Sequence, residues 1–428
     1  MEMNLWPILI VFVLFFLGVP VAFAMMFASF VYFTFMCDGV NLFTMVSALL
    51  EQGSSFTMMA VPFFIMAGSV MSYGGVSSSL MDFCDMLTGR MKGGLGATNV
   101  LMSCLMGGMS GSSCADAAFD ARMLVPEMTK RGFSLGYSSA LSATTSCITP
   151  IIPPGIAMVI YATAASCSVG DMFLGGYVPG ILLTVVLLVM NWFISKKRGY
   201  EPTRNYKLSG KEILRITGKS MWALLLPVFI VIGLRMGFFT ATECAAVIVV
   251  YSALVGALVY KRLRLSHVKK ILVESLQSTA SVLMILSAAS LFSRYMLWEN
   301  IPQRAAAALA EVATSPTVFI LIVVLMMFIM GMFLDTAAAL VILPPLLIPV
   351  AESLGVDVIH LGIVMVLMDT LGGVTPPFGV MMFTVMGITK VKMSTYFKEG
   401  WPLILAIIVV CVFIAVCPIE MAVVNFFS

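Results

Sequence analysis

Two short stretches of this 428-residue chain hold most of the side chains able to do chemistry. The first runs from GGMSGSSCADAAF to TTSCITPIIPPG over residues 107–155, and the second covers residues 331–379. Hydroxyls, carbonyls and carboxylates together suit a hard cation, which takes several oxygen ligands. Carbonyls freed at helix C-termini add negative partial charge. On this reasoning a first cation site joins the tip residues Ser110, Ser112 and Ser113 to Ser146 and Thr149, with Ser103 two turns below Ser110. A second joins Gly331, Asp335 and Thr336 to Gly372, Gly373 and Thr375. Proline suits the first turn of a helix, where free N–H groups and the positive dipole end favour an anion. Pro153, Pro154 and Gly155 are expected to open one half-helix, and Pro376 and Pro377 another. A substrate carboxylate between the two breaks is the natural occupant, with Ser112, Asp116 and Asp335 as further substrate contacts.

An ionised carboxylate at membrane depth is costly, so a functional or paired role is the default for Asp116 and Asp335. For Asp116 the alternatives are a cap on the following helical arm or a pair with Arg122. Asp335 has no basic neighbour in sequence. Glu243, in the TATE stretch, suits a helix start. Catalytic and metal chemistry find less support. There are two histidines, His267 and His360, and no HExxH motif. The nine cysteines are scattered singly without a CxxC pair, as buried small hydrophobes are. The chemistry expected is binding and movement rather than catalysis, with no organic cofactor. A channel or a membrane-embedded enzyme is the alternative class.

The elements that must position these residues are membrane helices. The chain is 61% hydrophobic and 11% charged, with a mean hydropathy of +1.06, which excludes a soluble globular protein. A net charge of +3 is too small to suggest nucleic acid. Its basic residues cluster in short loops, which points to membrane orientation. The N-terminus lacks a basic leader and a small-residue cleavage site, so residues 5–35 read as membrane segment, and the apolar run 5–36 is long enough for one tilted helix or a broken one. Arms over 95–109 and 114–128 are flanked at both ends by Arg90, Lys92, Lys130 and Arg131, so they enter and leave on one side. Arms this short, with a polar tip, favour a re-entrant hairpin over two full spans. Residues 133–148 and 155–166 form one discontinuous crossing, because each piece falls short of the roughly 20 residues a span requires. Two basic loops, 196–219 and 261–270, are separated by two spans and agree on a cytoplasmic location. A second hairpin, 317–334 and 336–350, has no basic flank and is expected to enter from the opposite side. A second split crossing covers 359–371 and 378–389, and a last span 401–418.

The two regions repeat. Gly108-Met109 precedes Asp116-Ala117-Ala118, with Pro126 ten residues after the aspartate; Gly331-Met332 precedes Asp335-Thr336-Ala337, with Pro345 again ten residues on. Proline pairs follow each. Opposed, interrupted hairpins of this kind are the pattern of an inverted repeat with its binding site near the midplane. The chain divides accordingly into N-terminal scaffold helices (1–92), first-repeat transport elements (93–195, with hairpin 93–130 and broken helix 133–166), loops and scaffold spans (196–314), second-repeat elements (315–390, with hairpin 315–352 and broken helix 356–389), and a C-terminal segment (391–428).

At this point the residues resemble a family. GMSGSSCADAA, TPIIPPGIAMVIYA, GFFTATECA at 237–245, GMFLDTAAALVILPPLLIPV and GGVTPPFG are similar, in register over the whole chain, to the large membrane (M) subunit of tripartite ATP-independent periplasmic (TRAP) transporters. The resemblance implies an all-α integral membrane protein with the fold of the ion transporter superfamily: an inverted-repeat, elevator-type transporter with two re-entrant hairpins and two discontinuous helices. It implies sodium-driven uptake across the bacterial inner membrane. The implied partners are a small (Q-type) membrane subunit and a periplasmic binding protein that delivers an organic acid. Asp369 departs from the pattern, standing where an amide or small polar residue is expected. Hydroxyls at the breaks incline the substrate toward a sialic acid, otherwise a C4-dicarboxylate.

Overall fold

The computed structural model describes residues 4–37, 42–51, 59–235, 238–301, 304, 315–334, 336–376 and 379–427. All regular structure among them is helical. The first apolar stretch is broken into α1 (Trp6–Phe16) and α2 (Val21–Val31). Gly18 adopts φ 86° at the break and Pro20 follows, a residue that cannot donate to a continuing helix. Next come α3 (Leu42–Glu51), α4 (Ala60–Gly74) and α5 (Val76–Thr88). Helices α4 and α5 bend by 71° at Gly75, whose φ is 82°. Helix α5 occupies a stretch that reads in sequence only as a polar interval.

The first hairpin is α6 (Gly94–Ser110) and α7 (Ser113–Lys130), followed by the half-helices α8 (Leu135–Thr145) and α9 (Ile156–Ala164). Long helices then run as α10 (Val169–Arg198), α11 (Gly210–Arg235), α12 (Ala241–Leu254) and α13 (Leu265–Trp298). The second hairpin has α14 (Pro316–Phe333) as one arm; the other is α15 (Thr336–Ile342) and α16 (Pro344–Ser353), bent by 50° before Pro344. Half-helices α17 (Val358–Gly372) and α18 (Val380–Thr389) follow, then α19 (Met393–Val416) and α20 (Ile419–Phe427). Among the described residues, six helices are individually long and apolar enough to cross a membrane. On α10, Ile181, Val185, Val189 and Phe193 form an exposed apolar stripe, while Leu183, Leu187 and Asn191 are buried. A stripe at that spacing faces lipid when the rest of the helix faces protein.

Local chemistry sets where these helices begin. Ser112, Ser134, Ser168 and Ser315 accept a backbone N–H at the starts of α7, α8, α10 and α14, and Asp357 does so for α17. Each such cap stabilises a helix by about 1 kcal/mol. Thr240 and Glu243 form a capping box at α12, which gives Glu243 the helix-start role its position suggests. The prolines behave differently from expectation. Helices α9 and α18 begin at Ile156 and Val380, with Gly155 and Gly379 as N-caps, so Pro153 and Pro154 lie in the bend before α9 rather than in its first turn. Proline drives the residue before it out of the helical region, so a proline pair delays the helix start.

Packing interlocks the two halves. Helix α7 packs on α8 and also on α18, while α15 packs on α9; α14 lies along α17. The second half-helix of each repeat is therefore held by the hairpin of the other. Helix α19 backs this group through α8, α14 and α17, and Arg198 and Ser134 both bind Glu399 of α19. Around it, α2, α3 and α4 pack on α13, α4 on α12, and α5 on α11. The outer helices meet the inner group where α5 packs on α6, where α4 touches α6 and α9, and where α13 touches α15.

Candidate functional site

The site begins at the tip of the first hairpin. Gly111 ends α6 with φ 58°, and a Cβ there would lie 2.4 Å from the carbonyl oxygen of Pro154. Only glycine fits both the conformation and the space. The Gly111 carbonyl accepts a hydrogen bond from Ile156 N at 3.3 Å, which sets the starts of α7 and α9 side by side. Next to this junction is a cavity of about 400 Å³. Its inner wall is Gly111, Ser112 and Ser113 from the tip, Ile156 from α9, and Thr336 from α15; its outer wall includes Ser69 and Ser72 of α4 and Glu274 and Ser278 of α13. Three helix starts thus face one space of the size that holds a small ligand. Positive dipole ends give that wall an anion preference. Among the described lining residues Glu274 alone is charged; it accepts a hydrogen bond from the Tyr73 hydroxyl at 2.5 Å.

Behind the tip lies a different environment. Ser103, Asp116, Asp120 and Thr149 are all fully buried. The Thr149 hydroxyl donates to Asp116 Oδ2 at 2.7 Å and lies 3.2 Å from the carbonyl of Ser103. The Ser103 hydroxyl donates to Asp120 Oδ2 at 3.2 Å. Asn99 extends the network, donating to Ser142 at 2.8 Å and accepting from Thr145 at 2.9 Å.

This arrangement corrects the sequence-based reading of Asp116. It does not line the cavity, Ser112 rather than Asp116 caps α7, and Arg122 is exposed while Asp116 is not. The cavity face of α7 carries Ala115 and Phe119. One residue further on lies about 100° around the helix, which turns Asp116 and Asp120 inward. The proposed first cation group is also divided. Ser103 and Thr149 come together behind the tip, whereas Ser112 and Ser113 line the cavity. Ser146 faces the other repeat: its hydroxyl donates to Ala143 O at 2.7 Å and sits 3.3 Å from Met381 Sδ. The side chain of Ser110 lies outside the described residues. Asp120 is the site residue that motif reasoning missed; the available signal was its spacing of four from Asp116, which places both on one helix face.

In the second repeat the hairpin and the half-helix meet at backbone contact, at Asp369, whose carboxylate is buried. A Cβ on Gly331 would lie 2.2 Å from the carbonyl oxygen of Asp369, and one on Gly372 would lie 2.6 Å from the carbonyl carbon of Gly331. Helices α14 and α17 therefore cross at backbone contact, as small residues permit in membranes. The Thr375 hydroxyl donates to Gly372 O at 2.8 Å, Gly373 O accepts from Met381 N at 2.9 Å, and Val374 O accepts from the Tyr396 hydroxyl at 3.1 Å. Gly331, Gly372, Gly373 and Thr375 are brought together, while Thr336 lies apart from them on the cavity wall. Pro376 is half-buried just beyond this crossing. Asp335 and Pro377 lie outside the described residues. The helix starts also shift the repeat register: α7 begins at Ser113 and α15 at Thr336, which aligns Asp335 in sequence with Ser112, one turn from Asp116.

Comparison with known proteins agrees with this architecture. The family described as "Tripartite ATP-independent periplasmic transporter, DctM component" matches residues 8–419. The C4-dicarboxylate TRAP transporter large permease protein DctM of Pseudomonas aeruginosa is 35% identical over 370 residues, 86% of each chain. The sialic acid TRAP transporter large permease protein SiaM of Vibrio cholerae is 32% identical over 405 residues, 95% of this chain and 94% of that one. The isethionate TRAP transporter permease protein DctMQ of Oleidesulfovibrio alaskensis is 33% identical over 86% of this chain and 58% of its own length. Among solved structures, the YdaH transporter of Alcanivorax borkumensis superposes with a TM-score of 0.66, covering 96% of this chain and 99% of that one at 14% identity, a likeness of fold.

Proposed function

The chain belongs to the DctM family of tripartite ATP-independent periplasmic transporters, which are permeases and not enzymes, and on that premise we propose sodium-coupled uptake of a carboxylate-bearing organic acid. The observation that carries the reading is the convergence of the α7, α9 and α15 starts on one cavity, directly in front of the buried Ser103–Asp116–Thr149 set. The substrate carboxylate sits against the starts of α7 and α9, where the helix dipoles turn their positive ends to the cavity. Sodium binds at each repeat: behind the first tip with Ser103 and Thr149, and at the second with Gly331, Asp335, Gly372, Gly373 and Thr375. A cation at either place holds the tip and half-helix carbonyls together, which keeps the anion-binding N–H groups aligned. Coupling follows from that shared geometry.

The two hairpins re-enter the membrane from opposite sides and, with the broken helices, travel as a unit against α4 and α13 in an elevator motion. The interlock of α7 with α18 and of α9 with α15 supports a single moving body. A sialic acid is the preferred substrate, with a C4-dicarboxylate next: the hydroxyls of Ser69, Ser72, Ser112, Ser113, Ser278 and Thr336 around the cavity suit a polyol as well as a carboxylate. The protein works in the bacterial inner membrane with a small Q-type subunit and a periplasmic binding protein, in keeping with the fused DctMQ relative. The test is uptake of labelled sialic acid or succinate into proteoliposomes containing both membrane subunits, with the binding protein added outside. Saturable uptake that needs an inward sodium gradient and the binding protein is expected. Passive, non-saturating flux would support a channel instead.

A further inference from the structure

The cavity in front of the first hairpin tip has walls of opposite electrostatic character. The inner wall carries the starts of α7 and α9, whose dipoles favour an anion. The outer wall is made by α4 and α13, and Glu274, Ser278 and Val282 line it from one face of α13 at a spacing of four. Glu274 marks the end of that stripe nearest the start of α13, about two turns from Val282. Its neighbours show which end this is. The Tyr73 hydroxyl donates to the Glu274 carboxylate at 2.5 Å, and the Tyr73 ring lies 5.4 Å from that of His267. Arg262 donates to the Ser78 hydroxyl at 3.0 Å. Both His267 and Arg262 belong to the basic stretch 261–270, whose charge places it in the cytoplasm. Glu274 therefore stands at the cytoplasmic end of the cavity. It is exposed, and Lys270, one turn nearer the cytoplasm, is outside the described lining. An anion held at the start of α7 must leave for the cytoplasm past a carboxylate.

We propose that Glu274 is a release residue: fixed on α13, it repels the substrate carboxylate only when the hairpins have carried the substrate to the cytoplasmic side, and so lowers affinity there. Charges on the transport elements travel with the substrate and act on it alike in every state. A charge on the opposing wall acts only where the two walls border one space, because repulsion falls with separation and is screened by salt. Tip and Glu274 border one cavity in this structure. A displacement that carries the tip along α13 toward the periplasm removes the repulsion. A ligand whose interaction differs between two states shifts their balance by that difference. The substrate is thus held on the outer side and let go on the inner one.

The inference rests on the elevator reading above and gives that motion a preferred direction of release. It is tested on the complete tripartite system in proteoliposomes, using sialic acid or succinate, whichever the wild type accumulates. Unlabelled substrate is loaded inside at graded concentrations, and its inhibition of labelled uptake is followed. Glu274→Gln is expected to lower the internal concentration that halves uptake by about threefold or more at low ionic strength. Glu274→Lys is expected to lower it further, and high salt to shrink both differences. External KM should stay unchanged, because the tip is then away from Glu274. Tyr73→Phe removes the hydrogen bond and keeps the charge, so it should behave as the wild type does. Glu274 is exposed, which makes both of its replacements compatible with folding. Internal inhibition that is the same in the wild type and in the Gln and Lys variants would overturn the inference and leave the proposed function standing. An equal fall in external KM would also overturn it, since Glu274 would then face the substrate in both states. So would a Tyr73→Phe variant that matches Glu274→Gln, which would make the pair a bridge between α4 and α13 only. A wild type that accumulates neither acid under a sodium gradient would instead overturn the proposed function itself.

Discussion

The two repeats have the same order of parts and solve the same problem with different chemistry. Each has a hairpin whose tip meets a break between half-helices. In the first, side chains occupy the junction: Ser103, Thr149 and two aspartates are buried together behind the tip. In the second, Gly331 and Gly372 bring backbone against backbone, and Thr375 bonds to the Gly372 carbonyl. One topology can therefore offer a cation carboxylates on one side and carbonyls on the other. Both halves hold a glycine against backbone, Gly111 at Pro154 and Gly331 at Asp369, so they differ in the hydroxyl and carboxylate network of the first rather than in close approach.

The largest effect is expected at the crossing in the second repeat. Gly331→Ala places a Cβ 2.2 Å from a backbone oxygen that cannot move alone, so α14 and α17 must separate. Destabilisation at the upper end of the roughly 1–3 kcal/mol typical of overpacking, with loss of transport, is expected in thermal unfolding of the purified protein. Gly107→Ala in the first repeat places a Cβ 2.8 Å from the Ile152 side chain and 3.0 Å from the Thr149 carbonyl oxygen, longer distances than at Gly331, and should be milder. Equal effects would contradict that ranking.

Next come the threonines. Thr149→Val removes the hydrogen bond to Asp116 and leaves a buried carboxylate short of a donor, at a cost of about 1–3 kcal/mol. Thr375→Val removes only a bond to a carbonyl three residues back and is expected to be smaller. Sodium activation curves should separate them in the same order; a larger shift for Thr375→Val would reverse the comparison.

The smallest effect is expected at Ser112, which caps α7 and lines the cavity. Ser112→Ala should lower stability by about 1 kcal/mol and raise substrate KM, with little change in sodium activation at saturating substrate. A shift in sodium activation alone would return Ser112 to the cation set.

Much of this was legible in the chain. The polar breaks, the short arms and the helix-start role of Glu243 follow from hydropathy, length and capping chemistry. What escaped has physical reasons. Asp120 sits between Phe119 and Ala121 with no motif around it, and its burial depends on α6 supplying Ser103 from seventeen residues away. Ser146 was grouped with the first tip because it is near Thr149 in sequence, yet the rotation of the last turn of α8 points it at Met381. The repeat register was drawn through the aspartates, whereas the helix starts place it one turn away. Linear spacing cannot distinguish positions that differ by a single helical turn.

The central claim is that cations behind the tips and an anion in front of them are held by one geometry. Reciprocal linkage tests it most directly, because two ligands coupled through a shared structure must change each other's affinity by the same factor. Calorimetric titration of the purified membrane complex would give substrate affinity with and without saturating sodium, and sodium affinity with and without saturating substrate. Matching gains in both directions are the expected result. Substrate binding that is indifferent to sodium would contradict the account.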